Sequence, residues 1–285
     1  MNDAELVDTE APEPAPPGAP RLQRLKKVVE HLNHTWSDVL QRQQCMQALG
    51  QREDLHKALE QTYAANVTNM LQHVLVMDLL REIGALILDP DKRSASALRA
   101  FSGLRDPELM KELRAEHEVV RPVTHIRTGN NVPDHVWAQI EVERNARDRE
   151  EQIERLDSIL TELTALEPTV RDSDVAERLT NIRNKGVAHY EVARDGDSWR
   201  LWAESGTEIT WGEINDYINA CTRCIELLYG AVCHTSFDFE EAKKVYQGNV
   251  DDFIGALTVG LTSNKEQRER ERAQELERRR VKHGL

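Results

Sequence analysis

Arg183, Asn184 and His189 stand close together in the stretch Leu179-Thr-Asn-Ile-Arg-Asn-Lys-Gly-Val-Ala-His-Tyr190. A cation, a hydrogen-bonding amide and a group that titrates near neutrality are what handling a phosphodiester requires. On a continuous helix the six-residue step from Arg183 to His189 turns through roughly 600° and rises roughly 9 Å. The two side chains then diverge by about 120°, with Gly186 midway between them in angle and height. A residue without a side chain leaves a hollow there, large enough for a phosphate held by the Arg183 fork. Lys185, Gly186 and Tyr190 are the candidate substrate contacts beside it. The same divergence argues against one unbent helix serving one phosphate. Either the chain bends at Gly186 or a second copy faces the first.

A bland alternative uses the same residues. Val175, Leu179, Ile182 and Gly186 form an apolar stripe at helical spacing, which His189 continues. A histidine near a helix end is favoured by the helix dipole, and a glycine lets another helix pack closely.

The pattern resembles the Arg-x(4–6)-His signature of the HEPN superfamily. The form Ile-Arg-Asn-Lys-x-x-Ala-His is similar to its abortive-infection U-type branch. The likeness extends to the apolar helix Val67 to Leu88 and the segment Asp89 to Leu98 after it, and covers roughly Leu22 to Ile254. It implies an all-α helical bundle, usually dimeric. It often implies a metal-independent endoribonuclease acting as a toxin or phage-defence effector, with an antitoxin or other defence partner. On that reading His189 is general base or acid, Arg183 stabilises phosphorane charge and Asn184 orients His189 or the phosphate. Some toxins of the superfamily carry His-x-Tyr, whereas Tyr190 follows His189 directly. The rival reading is a catalytically silent module that binds a nucleotide or RNA, or only dimerises. Residues 171–195 hold five cations against five anions, which offers RNA no basic funnel.

A homodimer would answer the geometry. Two antiparallel motif helices bring Arg183 of one chain near His189 of the other, and Val175, Leu179 and Ile182 supply part of the contact.

The elements that must position the motif are mostly helical. The chain has 285 residues, 39% apolar, 31% charged and 5% aromatic, with a formal net charge of -13. That charge excludes a general nucleic-acid coat but not an enzyme holding one or two phosphates. Met1 to Pro20 is proline-rich and acidic and should be disordered. The acidic N-terminus has no apolar core segment, no run approaches a membrane span, and a cytoplasmic protein with reduced thiols is expected.

Periodicity predicts one helix over Arg21–Gly50 and a longest helix over Asp54–Leu88, whose part Val74–Leu88, apolar on more than one side, should be central in the bundle. Shorter helices follow over Ser94–Leu104 and Pro107–Val120, then a loop over Arg121–Asn131 and a charged helix over Pro133–Leu166. The motif helix runs over about 172–190, capped by Asp172 or Asp174. A turn at 194–197 follows, then strands Ser198–Glu204 and Glu208–Trp211 around Gly206. Thr210 and Glu213 form a capping box opening a helix to about Cys233. A less regular helical region over Phe237–Gly260 precedes a charged helix over Asn264–Leu285. In domain terms this is one helical domain over 21–260 with an extension over 261–285. The extension holds eight Lys and Arg against five Glu, leaving -16 on the rest of the chain.

Metal chemistry is not expected. His31 and His34 lie one turn apart without further ligands. Cys221 and Cys224 make a C-x-x-C with only Cys233 and His234 nearby, on the apolar face of their helix, and read as core thiols.

Overall fold

Leu22, Leu25, Val29, Leu32, Trp36 and Val39, the stripe that predicts the first helix, are all buried. The structure, a computed structural model, describes residues 21–60, 62–91, 93–119, 134–182, 192–195, 198–201 and 209–283. The proline-rich tail, the loop expected over 121–131 and the motif residues 183–190 lie outside the described residues. The fold is all-α. Its helices are α1 (Arg21–Gln51), α2 (Glu53–Leu59), α3 (Ala64–Leu88), α4 (Ala97–Leu104) and α5 (Pro107–His117). After them come α6 (Asp134–Asp172), α7 (Asp174–Ile182), the strands β1 (Val192–Asp195) and β2 (Ser198–Leu201), α8 (Trp211–Cys233) and α9 (Phe239–His283).

The chain divides into two compact units. One comprises Met1–Thr35, Gly84–Asn181 and Glu204–Phe237; the other comprises Trp36–Ile83, Ile182–Ala203 and Asp238–Leu285.

In the first unit α6 packs on α8. Leu156, Leu163 and Val170 bury one residue in seven along α6. Ile214, Ile218, Cys221, Ile225, Leu228 and Val232 answer at four-and-three spacing on α8, the pattern of a coiled-coil seam. Polar contacts pin the pair antiparallel. The Tyr217 hydroxyl donates to the Val170 carbonyl at 2.6 Å, and the Arg223 guanidinium forks onto Glu162 at 2.7 and 2.9 Å. Nearby, Arg105 binds the buried Glu167 carboxylate at 2.5 and 2.6 Å, and Arg171 adds a contact at 3.1 Å. Caps mark the helix starts as their residue types demand: Ser96 accepts from Arg99 N–H, Asp106 precedes Pro107, and Thr210 with Glu213 closes a capping box.

In the second unit α2 packs on α9, and Ala48, Leu49, Leu55, Leu59, Val250 and Ile254 form a buried cluster. Gln72 Nε2 donates to the Leu49 carbonyl at 2.8 Å, and Arg52 binds Asp251 at 2.9 Å. Arg42 pairs with Glu82 and, at 3.3 Å, with Asp78.

Several boundaries differ from expectation. The helix expected over Asp54–Leu88 is broken into α2 and α3, because the backbone N–H and hydroxyl of Thr62 both take the Leu59 carbonyl, at 3.0 and 2.7 Å. Of the stretch expected to be central, Leu79, Leu80, Ile83, Leu86 and Ile87 are buried, but Val74 is 54% exposed, as are Val67 and Met70 before it at 53% and 59%. The charged helix expected to end at Leu166 continues through Pro168 to Asp172. The cap of the following helix is therefore Ser173, whose hydroxyl accepts from Ala176 N–H, and not Asp172 or Asp174. The strand expected from Ser198 is present over Ser198–Leu201, where it pairs antiparallel with Val192–Asp195, and Trp211 opens α8 instead of ending a strand; the remainder of the hairpin expected around Gly206, 202–208, lies outside the described residues. Finally, the two helical pieces expected after Phe237 are one helix of 45 residues, α9, since no proline or cap interrupts it near 260–264.

Candidate functional site

Arg183, Asn184, Lys185, Gly186, His189 and Tyr190 all lie outside the described residues. The structure describes what leads into them. α7 delivers the chain to Arg183 as a short amphipathic helix, capped by Ser173 and anchored by Ala176, Leu179 and Ile182, which are 1%, 1% and 3% exposed. Arg178 Nη2 binds Glu213 Oε1 at 2.6 Å, tying α7 to the capping box of α8. The Arg178 guanidinium and the Thr210 donors hold the Glu213 carboxyl down at about 2. β1 resumes at Val192.

One part of the dimer expectation changes here. Leu179 and Ile182 are buried within a single chain, so they cannot supply contact to a second copy; only Val175, half-buried, keeps an accessible surface. The stripe is the inner face of α7.

The thiols follow the core reading. Cys221 and Cys224 are buried on α8, burial pushes both thiols up, and no disulfide is present among the described residues. No group of three or more His, Cys, Asp or Glu that could hold a metal occurs among the described residues. His31 is half-buried beside His34, and burial and that neighbour lower its pKa.

Sequence reasoning missed a cleft in the first unit. It has a volume of about 510 Å³ and is lined by Lys26 of α1, Glu116 and His117 of α5, Asp148 and Arg155 of α6, and His234 just after α8. The imidazoles of His117 and His234 stack with centroids 3.8 Å apart. His117 Nε2 lies 2.7 Å from the Ala231 carbonyl, which can only accept, so this nitrogen carries the proton. Lys26 Nζ donates to Glu116 at 2.5 Å, and His234 Nε2 lies 3.4 Å from the same carboxylate. His234 adopts φ 55°, left-handed, the single non-glycine residue to do so among the described residues. No local pattern announces the cleft, since its residues come from four segments distant in sequence.

Burial lowers both imidazoles of the cleft below their ordinary value of 6.5, and for His234 the neighbouring His117 adds to the effect. Both are therefore neutral at pH 7. The unfolded chain binds protons at these histidines below about 6.5 while the folded chain resists them, so folding stability falls as pH drops below 6.5 toward the folded values. Urea unfolding between pH 7.5 and 5 should show that loss, and His234→Asn should shrink it. A stability flat across that range would contradict the placement of the two rings.

No helix among the described residues is long and apolar enough to cross a membrane. The family model described as AbiU2, of the HEPN class, matches residues 25–253, which takes in the whole Arg183–His189 stretch. No curated protein and no solved structure matches the chain.

Proposed function

Since this chain belongs to the AbiU2 family of HEPN proteins, we propose that it is a metal-independent endoribonuclease that acts as a toxin or phage-defence effector. The observation that carries the reading is the complete Arg183-Asn184-x(4)-His189 motif inside the matched region. RNA supplies its own nucleophile. His189 takes the proton from a ribose 2′-OH, and the 2′ oxygen attacks phosphorus. The phosphorus–O5′ bond breaks as the leaving O5′ takes the proton back from the His189 imidazolium, giving a 2′,3′-cyclic phosphate and a 5′-hydroxyl. Arg183 stabilises the charge that grows on the phosphorane oxygens, and Asn184 orients His189 or the phosphate. Lys185, Gly186 and Tyr190 contact the substrate.

The working unit in this proposal is a homodimer in which Arg183 of one chain and His189 of the other serve one phosphate. Because Leu179 and Ile182 face inward, the contact rests on other surfaces. A cognate antitoxin or defence partner would hold the activity in check. The five-to-five charge balance of residues 171–195 favours a second reading, a silent module that binds RNA or a nucleotide at the same residues.

The test is cleavage of total RNA by the purified protein in excess EDTA. Cleavage should persist and yield cyclic phosphate ends. Loss of activity in EDTA with recovery on adding a divalent ion would contradict the proposal. Failure of the wild type to cut any RNA would favour the silent module.

A further inference from the structure

The cleft between α1, α5, α6 and the end of α8 has no part in the proposed cleavage. Its charges mostly cancel. Lys26 is spent on Glu116 at 2.5 Å, and Asp148 is met by Arg144 at 3.6 Å. Arg155 forms no ion pair among the described residues, and it remains with the two imidazoles as the unbalanced part of the lining. The environment of His234 is built around its side chain. Glycine is the ordinary residue at a left-handed position after a helix, because any Cβ there is strained. Here a histidine occupies it, and its ring stacks on His117 and meets the Glu116 carboxylate. Backbone strain held by a side-chain network in a concave cleft is a recurrent sign of a binding site.

We infer that this cleft is a phosphoryl-anion site, in which Arg155 and the His117–His234 pair hold a phosphate group. The guanidinium supplies a planar fork for two phosphate oxygens. A phosphate monoester ionises a second time near pH 6, close to the imidazole range, so the anion and an imidazole can share a proton. Among the described residues, the charged groups facing the pair are Lys26 from α1, Glu116 from α5, and Asp148 and Arg155 from α6. The Glu116 carboxylate also lines the cleft, where Lys26 at 2.5 Å neutralises it and it holds His234 Nε2 at 3.4 Å. The arriving phosphate brings negative charge, so binding takes up a proton at the imidazole pair and tightens as pH falls from 8 toward 6.5.

Isothermal titration of the full chain with inorganic phosphate, and separately with adenosine 5′-monophosphate, tests this. Binding of either ligand is expected, with proton uptake seen as a dependence of the heat on buffer ionisation enthalpy. Tighter binding of the monophosphate assigns an esterified phosphate, and equal binding assigns the free ion. Arg155→Gln, on the exposed face of α6, should weaken binding at least tenfold without touching the fold. His234→Asn, a residue that tolerates the left-handed conformation, should do the same and remove the proton uptake. The titrations are run in the Arg183→Ala, His189→Ala background, which removes the phosphate contacts of the site proposed to cut RNA, so that the heat read belongs to this cleft. Absence of binding at 10 mM of both ligands would overturn the inference, as would binding that survives Arg155→Gln and His234→Asn.

Discussion

Replacing His189 by alanine is expected to abolish RNA cleavage while leaving the helical circular-dichroism signal intact, and Arg183→Ala is expected to do the same. Removing a general base of this kind costs typically 10²–10⁴-fold, and removing a charge donor from a phosphorane costs about 10²–10³-fold. The informative experiment mixes the two variants. If Arg183 of one chain serves His189 of the other, co-refolded Arg183→Ala and His189→Ala chains form dimers in which one of two composite sites is intact. Partial activity then returns, although neither variant has any alone. Persistent cleavage by a clean His189→Ala preparation would move the site elsewhere. Sedimentation showing only monomer at micromolar concentration would remove the shared-site model. Gly186→Leu offers a check on shape, since leucine is the better helix former by roughly 0.8 kcal/mol. It should keep helix content and lose activity by filling the hollow.

The largest effect on stability is expected from Trp36. Its side chain is fully buried in α1, and truncating a buried tryptophan to alanine costs about 3–5 kcal/mol. Total stabilities run from about 5 to 15 kcal/mol, so Trp36→Ala should leave a marginal protein. The matched control is Val74→Ala on α3. Val74 is just as apolar in the helical pattern, but it is 54% exposed, and its truncation should fall within about 0.5 kcal/mol of neutral. Urea unfolding of both variants reads the difference directly. A Trp36→Ala penalty below about 1 kcal/mol, or a Val74→Ala penalty equal to it, would contradict this core.

That pair of residues shows where a one-dimensional pattern stops. Both continue an apolar stripe at helical spacing, and the pattern alone makes each a core residue. What separates them is whether another element lies opposite. Trp36 has such neighbours. In the second unit, the stripe of Tyr63, Val67, Met70 and Val74 faces outward, with Tyr63 87% exposed.

The sequence by itself determined the features that depend on neighbours within one helical turn. The helix of α1 follows from its stripe, the starts of α5 and α8 from Pro107 and from Thr210-Glu213, and the burial of Cys221 and Cys224 from their place on one apolar face, whereas α4 opens at Ala97 after the Ser96 cap and not at the expected Ser94. The Arg183-Asn184-x(4)-His189 motif was legible for the same reason, because its meaning lies in a local spacing. Tertiary structure decided the rest. Thr62 ends α2 through a hydrogen bond that competes with the helix ladder, and α6 runs through Pro168 because its seam with α8 continues to Val170. The strand at Ser198–Leu201 finds its partner in Val192–Asp195, a pairing that the periodicity of neither segment announces. The His117–His234 cleft has no sequence signal at all: the hydrogen bond from His117 to Ala231 spans 114 residues. Local propensity acts over a few residues, whereas a cleft exists only when helices distant in sequence are packed side by side.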